Sequence, residues 1–221
     1  MAVRKEMPAP RGCAARPGYS LKPEYVTIHN TGNGAKGAGA LNHGKYLQAS
    51  GAFKTVSWHY VVDDGMVVQC IPEDENAWHA GDGAAGTGNR KSLSIEICEN
   101  PESDLKKATD NAAELTAELM LRYGIPLEHV VQHNHWNGKN CPHLLRGERP
   151  YGWQTFLDKV QRFYEDAKAP EDTTPEKETQ QAPAVPVYTL NIGPMTVGDR
   201  RTLVRKAREL GLPVDWREAP R

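Results

Sequence analysis

The chain has 221 residues, with 27 Lys and Arg against 28 Asp and Glu and a formal net charge of -1. That length allows one sizeable domain and something small beside it. The balanced charge gives no electrostatic case for nucleic acid as a partner, and no apolar run approaches the ~18–20 residues of a membrane span. The opening Met1-Ala2-Val3-Arg4-Lys5-Glu6 lacks the apolar core of a secretory signal. Synthesis in the cytoplasm without a signal peptide is therefore expected. Cys13, Cys70, Cys98 and Cys141 are too few and too scattered for a disulfide framework.

Residues 1–24, with five prolines or glycines between Pro8 and Gly18, read as an irregular leader over the domain surface. Tyr25 to Ile28 read as a strand. Residues 32–40 hold four glycines and three alanines and read as a flexible loop beside His29. Leu41–Gln48 predicts a short helix. Thr55–Val62 and Met66–Ile71 predict a hairpin turned by Asp63-Asp64-Gly65. Glu73–Gly88 reads as a long Gly/Ala-rich loop carrying Trp78 and His79, and such loops are usually functional or disordered. Ser92–Cys98 predicts a strand.

Asp104–Tyr123 is the clearest helix, with Leu105, Ala108, Ala112, Leu115 and Leu119 on one face and Gly124 as its stop. Val130-Val131 end a buried strand. Trp153–Tyr164 predicts a second amphipathic helix. Strands mixed with helices give an α/β or α+β fold class. Residues 1–167 are then one main domain. Residues 168–186 hold four prolines and no aromatic, which makes a solvated linker. Residues 187–221 read as a β-α-β unit too small to bury a core alone, so it is expected to pair, as a homo-oligomer or with the main domain, or to bind cell wall.

The chemistry gathers in Val130 to His143. A histidine, an Asn137-Gly138 turn and Cys141 can put an imidazole nitrogen and a thiolate on one metal ion. Spacing leaves His133 and His135 both open as that histidine. His29, at the mouth of the first long strand, is the best third ligand. Glu96, flanked by Ile95 and Ile97, is a carboxylate in an apolar strand, which is costly without a partner.

Four motifs in order carry a resemblance: His29-Asn30-Thr31, Trp78 to Gly83, Ser94 to Asn100, and His133 to Pro142. Over roughly residues 15–165 the chain resembles zinc-dependent N-acetylmuramoyl-L-alanine amidases, and among them the catalytic domains of phage and prophage endolysins of Gram-positive bacteria. The resemblance implies a mixed central sheet flanked by helices with a zinc cleft at one edge. It selects His133 over His135, so that His29, His133 and Cys141 hold Zn²⁺ and leave a place for water. It places the general base at Glu96 and a functional lysine at Lys139, beside the developing oxyanion. His79 and Trp58 are candidate substrate contacts. Some relatives carry a tyrosine where this chain has Trp58, which shifts weight onto Glu96. The implied partner is bacterial peptidoglycan, reached after release from the cell. A wall-binding module without activity, a structural zinc protein, and a Cys141 nucleophile with a histidine base are the rival readings.

Overall fold

Two alternating runs build the centre of the fold. In Tyr25–Asn30, Val26 and Ile28 are fully buried in the main core; in Ser92–Ile97, Leu93, Ile95 and Ile97 are. The computed structural model describes residues 2–147 and 151–168, with Leu203, Lys206 and Ala207 further on. Residues 2–170 form one unit and 171–221 another, in which those three positions are all helical. Apart from Lys168, the expected linker at 168–186 and the rest of the 187–221 unit lie outside the described residues.

The sheet has six strands: β1 (Val3–Glu6), β2 (Tyr25–Asn30), β3 (Tyr60–Val62), β4 (Met66–Gln69), β5 (Ser92–Ile97) and β6 (Val130–Gln132), in the order β1-β4-β3-β5-β2-β6. β3, β5, β2 and β6 are parallel, while β4 runs antiparallel to β3 and carries β1 parallel to itself. The mixed sheet flanked by helices is the architecture that the resemblance implies. Helix α3 (Leu105–Tyr123) and helix α5 (Trp153–Lys168) cover one face, where Leu115, Leu119, Phe156 and Val160 meet the sheet. Helix α1 (Ala40–Gln48) covers part of the other, over Val61, Val68 and Ile71, and the short helix α2 (Thr87–Lys91) leads directly into β5. The strict alternation between Val61 and Val62, and between Val67 and Val68, sends neighbours to opposite cores.

Local chemistry explains the element ends. Asp104 caps α3 by accepting from the Lys107 N–H at 3.1 Å, and Gly124 ends it at φ 66°. Asp63 accepts from the Gly65 and Met66 N–H groups in its own turn. Its other oxygen accepts from the Ala40 N–H at 2.8 Å, doing for α1 what the side-chain-less Gly39 cannot.

The leader departs from expectation. Val3–Glu6 is not irregular but an edge strand, in register with Met66–Gln69. All four side chains are exposed, so there is no apolar alternation to mark it; the backbone ladder holds it, Arg4 also pairs with Glu118 of α3 at 2.6 Å, and the exposed charges discourage further pairing. The hairpin's first strand is shorter than expected, since residues 54–59 run along a cleft before β3 starts at Tyr60.

Glu73 ties the hairpin to α3. Its carboxylate accepts from the Tyr60 and Tyr123 hydroxyls and pairs with Arg122 at 2.6 Å, while only 11% exposed. Burial opposes its ionisation, but the Tyr123, Tyr60 and Arg122 contacts outweigh burial and hold its pKa below the usual range. Stability from a depressed carboxylate is present above its unfolded pKa of about 4.3 and is lost as pH falls through the folded value. Glu73→Gln is expected to cost about 1–3 kcal/mol at pH 7, with the deficit closing below about pH 4. Urea unfolding at both pH values checks this, and a deficit that does not change with pH refutes the charge-assisted role.

Candidate active site and metal centre

Three neighbouring parallel strands, β5, β2 and β6, deliver the site at their C-terminal ends. Open α/β sheets bind ligands outside those ends. With Val26 and Ile28 committed to the core, His29 must face the other way. The same alternation turns Ser92, Ser94 and Glu96 away from Leu93, Ile95 and Ile97. Register then sets His29 directly beside Glu96, with His29 Nδ1 3.8 Å from the Glu96 carboxylate.

His133 follows β6 and extends its ladder, its N–H donating to the Ile28 carbonyl at 3.2 Å. The chain then coils into the short helix α4 (Asn134–Asn137) instead of continuing extended. This separates the two histidines that spacing leaves open. His135 is exposed and packs its ring against Trp136 at 4.6 Å. Gly138, at φ 78°, ends α4 in a conformation that few other residues adopt. The return brings the Cys141 carbonyl to the Asn134 N–H at 3.0 Å. As a result, one ligand atom each from His29, His133 and Cys141 lies within 4.8 Å of the others, and all three residues are buried.

The donors are arranged for a cation. His133 Nε2 lies 3.1 Å from the Ala80 carbonyl and 3.1 Å from the Asn137 amide nitrogen, which itself donates to that carbonyl at 3.0 Å, so Nε2 is engaged and Nδ1 is the nitrogen left over. That Nδ1 is buried and has no hydrogen-bond partner among the described residues; Glu96 Oε2 is in the same position. Buried polar atoms without partners are rare and need a reason. The Cys141 thiol lies 3.8 Å from His29 Nδ1. Burial and the nearby Glu96 push its pKa up to about 11, a thiol that gains most from a cation. Two imidazoles and one thiol are a donor set that suits Zn²⁺, so the residues present fit that ion.

Glu96 is 15% exposed. Burial raises its pKa to about 8, against the opposing pull of Lys139. Lys139 is exposed and lines the cleft beside Glu96 and Cys141. Burial, with His79 and His133 beside it, keeps His29 well below the usual histidine range. His79 reaches the cleft floor. Its Nδ1 meets His29 Nε2 at 3.1 Å and its Nε2 meets the Ser92 carbonyl at 3.2 Å, so both ring nitrogens are taken. Trp58 is 8% exposed and lines the cleft, its ring parallel to that of Tyr46 at 6.5 Å.

The cleft encloses about 560 Å³ and runs from the cluster to a wall that sequence reasoning missed: Asn42, His43 and Tyr46 on α1, together with Lys54 and Val56. The signal was the spacing of Asn42, His43 and Tyr46 on one side of α1. Their meaning depended on where that helix docks, which spacing does not state. Beside the cluster, His143 Nε2 lies 3.2 Å from the Glu99 carboxylate. Asp82 accepts from the Gly88 and Asn89 N–H groups inside the 78–89 loop and is a loop-forming residue.

Comparison with known proteins agrees with this geometry. The family model for N-acetylmuramoyl-L-alanine amidase matches residues 19–144, more than half of the chain. The chain belongs to that family. It is 46% identical over 171 residues to the N-acetylmuramoyl-L-alanine amidase CwlH of Bacillus subtilis, covering 77% of this chain and 62% of that one. It is 50% identical over 136 residues to XlyA of the same organism, covering 62% of this chain and 45% of XlyA. The chain thus spans less than two thirds of either relative. The solved catalytic domain of XlyA superimposes with a TM-score of 0.66 at 44% identity, over 71% of this chain and 98% of that domain.

The loop that supports the histidines hangs on Asn89, which is buried and accepts from both the His79 and Ala80 N–H groups at 2.8 and 2.9 Å. Asn89→Ala leaves two buried donors without a partner and is expected to cost about 2–4 kcal/mol. Denaturant unfolding measures it, and a loss under about 0.5 kcal/mol would show that the loop does not depend on this residue.

Proposed function

We propose that this chain hydrolyses the amide between the lactyl group of N-acetylmuramic acid and the L-alanine of the peptidoglycan stem peptide. The observation that carries this reading is the buried His29–His133–Cys141 cluster opening into a cleft beside Glu96, in a chain of the amidase family. His29, His133 and Cys141 would hold Zn²⁺. When bound, the ion supplies Lewis-acid polarisation of the scissile carbonyl and lowers the pKa of water near it.

The remaining work falls to the chain's own side chains. Glu96 stands at the cluster with one carboxylate oxygen that has no hydrogen-bond partner among the described residues. Its raised pKa suits a group that accepts a proton from attacking water and returns it to the leaving amine of alanine. Lys139 contributes a positive charge at the cleft where the carbonyl oxygen becomes negative. Trp58 and Tyr46 form an aromatic wall against which the substrate can lie. We also propose, from composition alone, that residues 187–221 form an accessory unit that pairs or binds cell wall, and that the whole acts on the wall as a lysin. No helix among the described residues is long and apolar enough to cross a membrane.

Digestion of purified Gram-positive peptidoglycan, read by mass spectrometry, is expected to release stem peptides beginning with alanine. Chelation should abolish release and Zn²⁺ should restore it. Wall binding without new amino termini would favour the non-catalytic module instead. Glu96→Gln should keep its zinc and lose about 10²–10⁴-fold in turnover, whereas Cys141→Ser should lose zinc itself. An active Glu96→Gln enzyme removes the proposed base. A chain lacking residues 187–221 should still cleave soluble muropeptide; loss of that activity would make the tail part of the catalytic unit.

A further inference from the structure

The ring of His79 lies between a metal-site histidine and a backbone carbonyl, and the partners decide where the protons sit. The Ser92 carbonyl can only accept, so His79 Nε2, 3.2 Å away, carries a hydrogen. The opposite neutral tautomer would set a bare lone pair against that oxygen. In the neutral ring His79 Nδ1 is then an acceptor. The atom it meets at 3.1 Å is His29 Nε2, which must then be the donor. With its single proton on Nε2, His29 keeps a lone pair on Nδ1, the atom that faces Cys141 Sγ and Glu96 at 3.8 Å each.

We propose that His79 is a positioning residue, which accepts the Nε2 proton of His29 and so holds the Nδ1 lone pair of His29 toward Cys141 and His133. The competing arrangement is close at hand. A proton on His29 Nδ1 would point toward the Glu96 carboxylate and block the nitrogen from a cation. Glu96 lies beyond hydrogen-bond distance at 3.8 Å, whereas His79 is within it at 3.1 Å, so the geometry favours the open Nδ1.

His133 Nε2 meets the carbonyl of the next residue along, Ala80, at 3.1 Å and the Asn137 amide nitrogen at the same distance. Two adjacent residues of one loop thus stand behind two ligands, one through a side chain and one through the backbone. Asn89 holds the N–H groups of both. A metal-bound histidine commonly gives its other N–H to a carboxylate, carbonyl or water. Here a second imidazole stands in that role and passes the demand on to Ser92.

The inference rests on the zinc reading of the cluster, and the experiment separates the two. Two-bond ¹⁵N–¹H correlation spectra of the metal-free protein at neutral pH report which nitrogen of His29 carries the proton, with the signal assigned by its loss in His29→Ala. Nε2–H is expected in the wild type. Nδ1–H there would overturn the proposal without recourse to any variant. Zinc affinity, measured by competition with a chelator, should fall about 10–100-fold in His79→Phe, and His29 should gain an Nδ1–H population. His79→Asn keeps an acceptor near the Nδ1 position and should stay close to wild type in both readings. A folded His79→Phe protein with wild-type affinity and an unchanged His29 tautomer refutes the proposal. Should that variant not fold, the wild-type spectrum and His79→Asn still decide. Failure of the zinc reading shows itself separately, as a wild-type protein that takes up no zinc in equilibrium dialysis whatever the tautomer of His29.

Discussion

The parallel register of β2 on β5 is the constraint on which the site depends. His29 and Glu96 are sixty-odd positions apart in sequence, with β3 and β4 between them in the chain, yet they sit side by side because Tyr25 pairs with Ser92 and the ladder runs without a slip to Asn30 and Ile97. A slip of one residue would send one of the two polar side chains into the core and bring an isoleucine to the cleft. Burial of Val26, Ile28, Leu93, Ile95 and Ile97 opposes that slip with several complete side chains, each worth about 1.5–3 kcal/mol when buried. The apolar half of each strand thus holds the chemical half in place.

The same arrangement concentrates groups that do not sit comfortably together. A carboxylate, a thiol and several imidazoles share a space where burial raises the pKa of Glu96 and Cys141 and lowers that of His29 and His79. Every one of these shifts favours the neutral form. A divalent cation reverses the balance, since it stabilises a thiolate and a carboxylate and requires neutral imidazole. Lys139 acts in the same direction on the acids but from an exposed position. The sheet therefore creates an electrostatic cost that a bound cation would offset.

The two central strands, the hairpin turn, α3 and α5 were legible because alternation, helical spacing and end signals agree there, as at Asp104 and Gly124. Val3–Glu6 was not, because an exposed edge strand is defined by its backbone bonds and carries no side-chain pattern. His29, Glu96, His133 and Cys141 could be nominated from their settings, but spacing left His133 and His135 equivalent. The fold separates them by coiling the chain at His133, a change from strand to helix within one residue that no apolar period announces. The wall at His43 and Tyr46 lay in a recognisable helix, and only docking of that helix gives it a place in the cleft.

The loop from Trp78 to Asn89 shows why a segment rich in glycine and alanine can still have a defined task. Its backbone groups are not left to solvent: Asn89 and Asp82 take up four of its N–H groups, and Ala80 turns its carbonyl to His133. Small residues let the loop pass close to the cluster; a β-carbon on Gly81 would come within 2.4 Å of Asn137, and φ there is +67°. The strands set where the ligand side chains begin, but a strand does not determine which nitrogen of an imidazole holds the proton. That choice belongs to whatever lies behind the ring. In this protein it is a loop, pinned by one buried asparagine, so the precision of the site comes from the rigid sheet in front and from hydrogen bonding in the loop behind.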